Sequence, residues 1–155
     1  MIHIEHIPAW LREHGHFVLR RGKIPYTRSG RKANPTNPAD GCTAAEALAA
    51  WHENPERYDG LGVMIVPPLV GIDLDHVIST EEELSPVALE ILDTVDTYTE
   101  KSPSGTGLHL LGLAPGMTVD TVISKKSSSR EQPEILATSA TPPSVDILPA
   151  GSALT

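Results

Sequence analysis

Cysteine is almost missing from this sequence of 155 residues: Cys42 is the single one, which excludes an internal disulfide and points to a reducing, cytoplasmic compartment. Nothing about the setting of that residue suggests a nucleophile. Long apolar runs are missing too. None approaches the roughly 18 residues of a membrane span, and the opening MIHIEHIPAWLREHG is too polar for a secretory signal. Positive charge is scarce, with 12 Lys and Arg against 20 Asp and Glu and a net charge of −8. That balance argues against a simple nucleic-acid binder. No internal repeat is visible. What is present suits a globular, fairly polar chain with a modest core, 39% apolar and 21% charged.

The charge is unevenly spread. Arg12, Arg20, Arg21, Lys23, Arg28, Arg31 and Lys32 face only Glu5 and Glu13 within residues 1–32. That arm is therefore +5 and the remainder −13. A basic arm beside an acidic body suits phosphate on one side and a cation on the other. Ordinary surface charge explains the same numbers.

Local patterns give an order of elements. PAWLREH (8–14) reads as a short helix and HFVLRR (16–21) as a strand. Residues 22–41 form a long, ordered or semi-ordered loop rich in Gly and Pro turns. TAAEALAAWHENP (43–55) is a helix opened by a Thr43–Glu46 capping box and stopped by Pro55. GLGVMIV (60–66) and LVGIDLDHVI (69–78) are strands on either side of a Pro-Pro break, expected to form an antiparallel pair. Ser79 and Thr80 can cap a helix opening with Glu81, Glu82 and Glu83, and SPVALEILDTV (85–95) continues the helical spacing. TYTEK (97–101), the turn SPSGTG (102–107) and LHLLGLA (108–114) follow as strand, turn and strand. The expected class is α/β in the α+β sense, a mixed, mostly antiparallel sheet with flanking helices. Residues 124–155 are rich in Ser, Thr, Ala and Pro and poorly specified, with strand candidates at 134–136 and 145–148. The expected division is a domain over 1–123 and a poorly specified C-terminal segment over 124–155, with the truncated end of the same domain as an alternative for that segment.

One stretch raises a physical question. VGIDLDHVI (70–78) sets two carboxylates two positions apart in an apolar run. Alternation sends Asp73 and Asp75 to one face and Ile72 and Leu74 to the other. Two like charges buried on one face are costly unless paired. Either a divalent cation sits with them or the strand is an edge with its acidic face in water. Further on, KSPSGTGLH offers glycines and small hydroxyls whose backbone N–H groups can approach an anion, with Lys101 and His109 beside them. A plain β-turn next to a packed histidine is the competing reading. Glu134 and Asp146, each in a short apolar run, are candidates for a third acid.

Taken in order, GLGVMIVPPLVGIDLDHVI and TYTEKSPSGTGLHLLG resemble the primase-polymerase domain of phage and plasmid replication proteins, within the archaeo-eukaryotic primase superfamily. The lead-in GKIPYTRSGRKANPTNPADGCTAAEALAAW is similar as well, so the resemblance covers roughly residues 8–115. It implies a core like an RNA-recognition fold and template-directed nucleotidyl transfer with Mg²⁺ or Mn²⁺. Asp73, Asp75 and a third acid, with Glu134 preferred over Asp146, are the implied metal ligands. His109, Lys101, Ser102, Ser104, Gly105 and Gly107 are the implied nucleotide contacts. Arg20, Arg21 and Lys23 are candidate phosphate contacts to nucleic acid. The implied partners are a single-stranded DNA template with its primer, nucleoside triphosphates and a helicase domain or protein, with no membrane. An aromatic and arginine-bearing stretch usual after the third acid is missing from ATSATPPS, and Gly41 stands where a tryptophan is expected. A truncated or altered C-terminus is the reading of those departures. Two alternatives stand beside this one: an inactive primase-like fragment that binds nucleotide or single-stranded DNA, and a phosphatase of the haloacid dehalogenase type, whose acid–x–acid signature DLDHV also fits.

Overall fold

The computed structural model describes residues 4–116 and, for the backbone alone, the strands at 126–127, 144–148 and 153–154. The chain forms two compact units, the first built on Met1–Val70 and the second on Gly71–Gly112. The class is α+β, as expected, with antiparallel sheets and short helices.

In the first unit, strand β1 (His16–Arg21) pairs antiparallel with β2 (Ile24–Tyr26) and with β3 (Gly60–Met64), and β3 also pairs with β9 (Ala153–Leu154). The β1–β2 hairpin turns at Gly22, whose φ of 58° is a left-handed value that glycine adopts without strain. Helix α1 (Ala9–His14) precedes β1. Helix α2 (Ala44–Glu53) carries the expected capping box: Thr43 Oγ1 accepts from Glu46 N–H, and Glu46 Oε2 accepts from Thr43 N–H. The apolar positions of these elements close two small cores, Leu19 with Ala50 and Tyr58, and Val18 with Ala33 and Met64. Residues 22–41 are an ordered loop that also holds short regular elements. They contain β2 and a 3-10 turn at Pro38–Asp40, held by Asp40 accepting from Arg31, Asn34 N–H and Asn37.

The second unit is a five-stranded sheet in the order β5-β6-β4-β8-β7. Its strands are β4 (Leu69–Asp75), β5 (Tyr98–Lys101), β6 (Leu108–Leu113), β7 (Lys126–Ser127) and β8 (Ser144–Leu148). Helix α3 (Pro86–Thr94) supplies Ala88, Ile91 and Leu92 to a core with Leu74, Val77, Leu108 and Leu110, joined by Ile72 at its margin. Burying a leucine such as Leu74 or Leu110 contributes about 1.5–3 kcal/mol, so this apolar face holds the sheet to its helix.

Two local expectations are corrected. β3 and β4 do not pair; they lie in different sheets. The connection carries Pro67 and Pro68, which lack N–H donors and hold φ near −65°, unsuited to the tight turns that fold a hairpin back on itself. Nor does a helix start at Ser79. Its Oγ accepts from both Glu81 N–H and Glu83 N–H, and its N–H returns to Glu83 O, closing a turn in which Glu82 has a φ of 64°. The helix begins after Ser85, whose Oγ accepts from Ala88 N–H while Pro86 opens the first turn.

Candidate active site

Alternation along β4 does what its sequence implies. Ile72 and Leu74 belong to the apolar core, which leaves Asp73 and Asp75 on the other face. β4 is the third of five strands, so the edge-strand reading of the acid pair fails. The carboxylates stand on the polar face of an interior strand, with the Asp73 side chain 25% exposed. After Asp75 the chain leaves the strand through His76, whose φ of 56° falls in the left-handed region that His tolerates better than most residues.

The face is completed by β5 and β6. These form a hairpin around residues 102–107 with Lys101 opposite Leu108, Glu100 opposite His109, and Tyr98 opposite Leu111. Leu108 and Leu110 enter the helix-side core, so His109 shares the face of Asp73. Its ring is buried, 7% exposed, with Nε2 3.8 Å from Asp73 Oδ1 and Nδ1 3.2 Å from Glu100 Oε1. Tyr98 donates its hydroxyl hydrogen to Glu100 Oε2 at 2.9 Å. Burial first, and then the charge of Glu100, push the Tyr98 phenol well above its ordinary pKa, so it stays a donor.

On the other flank of β4 lies β8. In the antiparallel register Asp146 is directly opposite Asp73, with Ser144 opposite Asp75. Opposed positions of an antiparallel pair fall on the same face of a sheet. Asp146 therefore occupies the sheet position beside Asp73 on its polar face. Glu134 lies outside the described residues. Among the described residues no group of three or more His, Cys, Asp or Glu side chains is gathered closely enough to cage a metal by itself.

The 102–107 turn is tied by its own hydroxyls. Ser102 Oγ and Ser104 Oγ are 2.9 Å apart, and Ser104 Oγ and Thr106 Oγ1 3.1 Å apart. Gly107 N–H donates to Ser102 Oγ, and Ser102 N–H to Gly107 O. Two glycines are needed for different reasons. Gly105 has a φ of 78°. At Gly107 a Cβ would meet Leu74 O at 2.5 Å and Ser102 Oγ at 3.0 Å, so the turn lies hard against the acid-bearing strand.

Lys101 is not brought to this face. It alternates away from Glu100, and its ammonium is held by Glu82 Oε1 at 3.0 Å. Arg20, Arg21 and Lys23 are grouped at the β1–β2 hairpin of the first unit. Two other cations of the basic arm already have carboxylate partners. Arg28 pairs with Glu46 and Arg31 with Asp40, whose carboxyl is held below the usual carboxylate range by that guanidinium and by Asn34 N–H. Reasoning from sequence missed Glu100 and Tyr98. The signal was there: a symmetric hairpin about SPSGTG sets Glu100 across from His109.

Searched against models of known families, the chain matches none. It is 39% identical over 98 residues to a DNA primase-polymerase of Nitratiruptor phage NrS-1. That stretch is 59% of this chain and 13% of the phage protein, so the chain spans a small part of the relative's length.

Proposed function

We propose, for a chain that carries a primase-polymerase domain, that it performs template-directed nucleotidyl transfer in the replication of a phage or plasmid. The observation that supports this most is the approach of His109 to Asp73, residues 36 positions apart in the sequence, on the polar face of one sheet. Motifs that are weak singly become a site when the backbone brings them together.

The donor set suits a hard divalent ion. Asp73 and Asp75 offer only carboxylate oxygens, the chemistry that Mg²⁺ and Mn²⁺ prefer. As third acid we take Asp146 in place of Glu134, because Asp146 lies opposite Asp73 in the β4–β8 register. When bound, such an ion supplies Lewis acidity to the attacking hydroxyl and to the departing pyrophosphate. The chain's own part is positional. Asp73, Asp75 and Asp146 hold negative charge on one stretch of sheet. His109 presents Nε2 to the polar face on which a triphosphate would lie, and the hydroxyls and N–H groups of the 102–107 turn offer donors to it. Arg20, Arg21 and Lys23 contact the nucleic-acid backbone without reading sequence. The primer strand, its template and nucleoside triphosphates are the substrates on this reading, and a helicase domain or protein is a partner.

The phosphatase alternative gains nothing from the geometry. It calls for a later lysine and an acidic pair near Asp73, whereas Glu100 and His109 occupy that face and Lys101 is held by Glu82. The inactive-fragment alternative differs in outcome only. Primer extension with deoxynucleotides and Mn²⁺ or Mg²⁺ tests all three. Incorporation by the parent, lost in Asp73→Ala, His109→Ala and Asp146→Ala but kept in Glu134→Ala, is the expected result. Nucleotide binding without incorporation would favour the binding fragment. Metal-dependent hydrolysis of a simple phosphate ester would favour the phosphatase.

A further inference from the structure

We propose that Glu100 is a positioning residue for His109, taking the Nδ1 hydrogen and thereby turning Nε2 toward the acidic face of β4. What this does for catalysis rests on the polymerase reading; the geometry itself does not.

The argument starts from hydrogen-bond capacity. An ionised carboxylate only accepts. At 3.2 Å from Glu100 Oε1, His109 Nδ1 must therefore be the protonated nitrogen for the contact to be attractive. A neutral imidazole in water favours the proton on Nε2, so Glu100 selects the tautomer that is otherwise the minor one. The other oxygen of Glu100 is engaged too. Tyr98, two residues back on the same strand face, donates to Oε2 at 2.9 Å, and its raised pKa keeps that hydrogen in place. Tyr98 and His109 thus both donate to Glu100, one to each carboxylate oxygen. On the far side of the ring Nε2 lies 3.8 Å from Asp73 Oδ1.

That arrangement has a consequence at Nε2. With the hydrogen on Nδ1 held by Glu100, Nε2 is the nitrogen presented to the polar face, and the ring plane that carries it is fixed. Were Glu100 absent, the ring could turn or exchange tautomers, and Nε2 would no longer be committed to the acidic face. A carboxylate behind a working histidine is a general way to hold tautomer and orientation. Here the β5–β6 register builds it, because Glu100 and His109 are cross-strand partners.

The test compares the parent with Glu100→Leu, Glu100→Gln and Tyr98→Phe, using ¹⁵N-histidine-labelled protein and His109→Ala to identify the His109 signals. Long-range ¹H–¹⁵N spectra at alkaline pH report which nitrogen carries the hydrogen. Nδ1–H is expected in the parent and in Glu100→Gln, whose amide oxygen still accepts. Glu100→Leu is expected to move to Nε2–H or to a mixture. In primer extension, Glu100→Leu should lower kcat about 10- to 100-fold with an unchanged thermal midpoint. Glu100→Gln should recover most of it, and Tyr98→Phe should show a smaller loss of the same kind. An Nε2–H signal in the parent overturns the inference. So does a Glu100→Leu variant with unaltered tautomer, or an altered tautomer at full rate. A Glu100→Gln variant as slow as Glu100→Leu would make the charge, not the positioning, the contribution of this residue. If the parent incorporates no nucleotide, the polymerase reading fails, and the tautomer comparison alone still decides whether Glu100 orients the ring.

Discussion

At Gly107 a single hydrogen in place of a methyl group lets the turn approach the acid-bearing strand. Gly107→Ala would set a Cβ 2.5 Å from Leu74 O, a backbone atom with little freedom to yield. We expect a loss of about 1–3 kcal/mol in chemical denaturation, together with weaker nucleotide binding, since the displaced turn carries Ser102 and Ser104. A second residue-scale expectation concerns Asp40. Its carboxyl is held below the ordinary range by the Arg31 fork and by Asn34 N–H. The stability it contributes is therefore complete above the ordinary aspartate value of about 3.9. It is lost as pH falls through the lower folded value. Thermal midpoints measured on acidification should fall more steeply below about pH 4 in the parent than in Asp40→Asn. Equal slopes would mean that the Arg31–Asp40 pair does not persist in solution.

At the scale of elements, helix starts separate local signal from tertiary choice. The Thr43–Glu46 capping box was legible because both partners sit within one turn and nothing competes for them. The start of α3 was not legible, because Ser79 and Ser85 each precede a stretch that could be helical. Ser79 instead closes a turn bridged by Ile78 and Leu84, and buried Ser85 takes the cap. Ser85→Ala should therefore cost about 1 kcal/mol, while Thr80→Ala should stay within about 0.5 kcal/mol of the parent. Urea denaturation of the two variants checks this, and the reverse order would return the helix start to Thr80. The β3–β4 pairing failed for a related reason. Two strands close in sequence usually pair, but a Pro-Pro connection is a poor hairpin turn, and β1 and β8 take those edges instead.

At the scale of the whole molecule, the contribution of the C-terminal region is decisive. Composition left residues 124–155 poorly specified, and the strand expected at 145–148 is present as Ser144–Leu148 and pairs along β4. It makes β4 an interior strand and sets Asp146 beside Asp73. A chain ending at residue 143 should therefore lose nucleotide incorporation entirely. It should also have a lower thermal midpoint and a greater tendency to associate, because the flank of β4 would carry unpaired N–H and C=O groups. Full activity in that shortened chain would remove Asp146 from the site. Among the described residues no helix is long and apolar enough to cross a membrane, in keeping with the absence of a long apolar run.

The sequence by itself determined the periodicities. Alternation in VGIDLDHVI put both acids on one face and their apolar neighbours on the other, and the glycines of SPSGTG demanded a tight turn before His109. Those are properties of a backbone with a period of two and of residues that lack a Cβ, so they need no distant partner to be read. Tertiary structure alone decided which strands flank β4, and hence that the acid pair is interior, that Asp146 is the acid opposite Asp73, and that Glu100 and Tyr98 stand behind His109. It also turned Lys101 away, toward Glu82. Pairing between strands far apart in the chain depends on how the apolar face of each strand is covered and on which edges remain open. That is a competition among many weakly differing registers, and no short stretch of sequence contains its outcome.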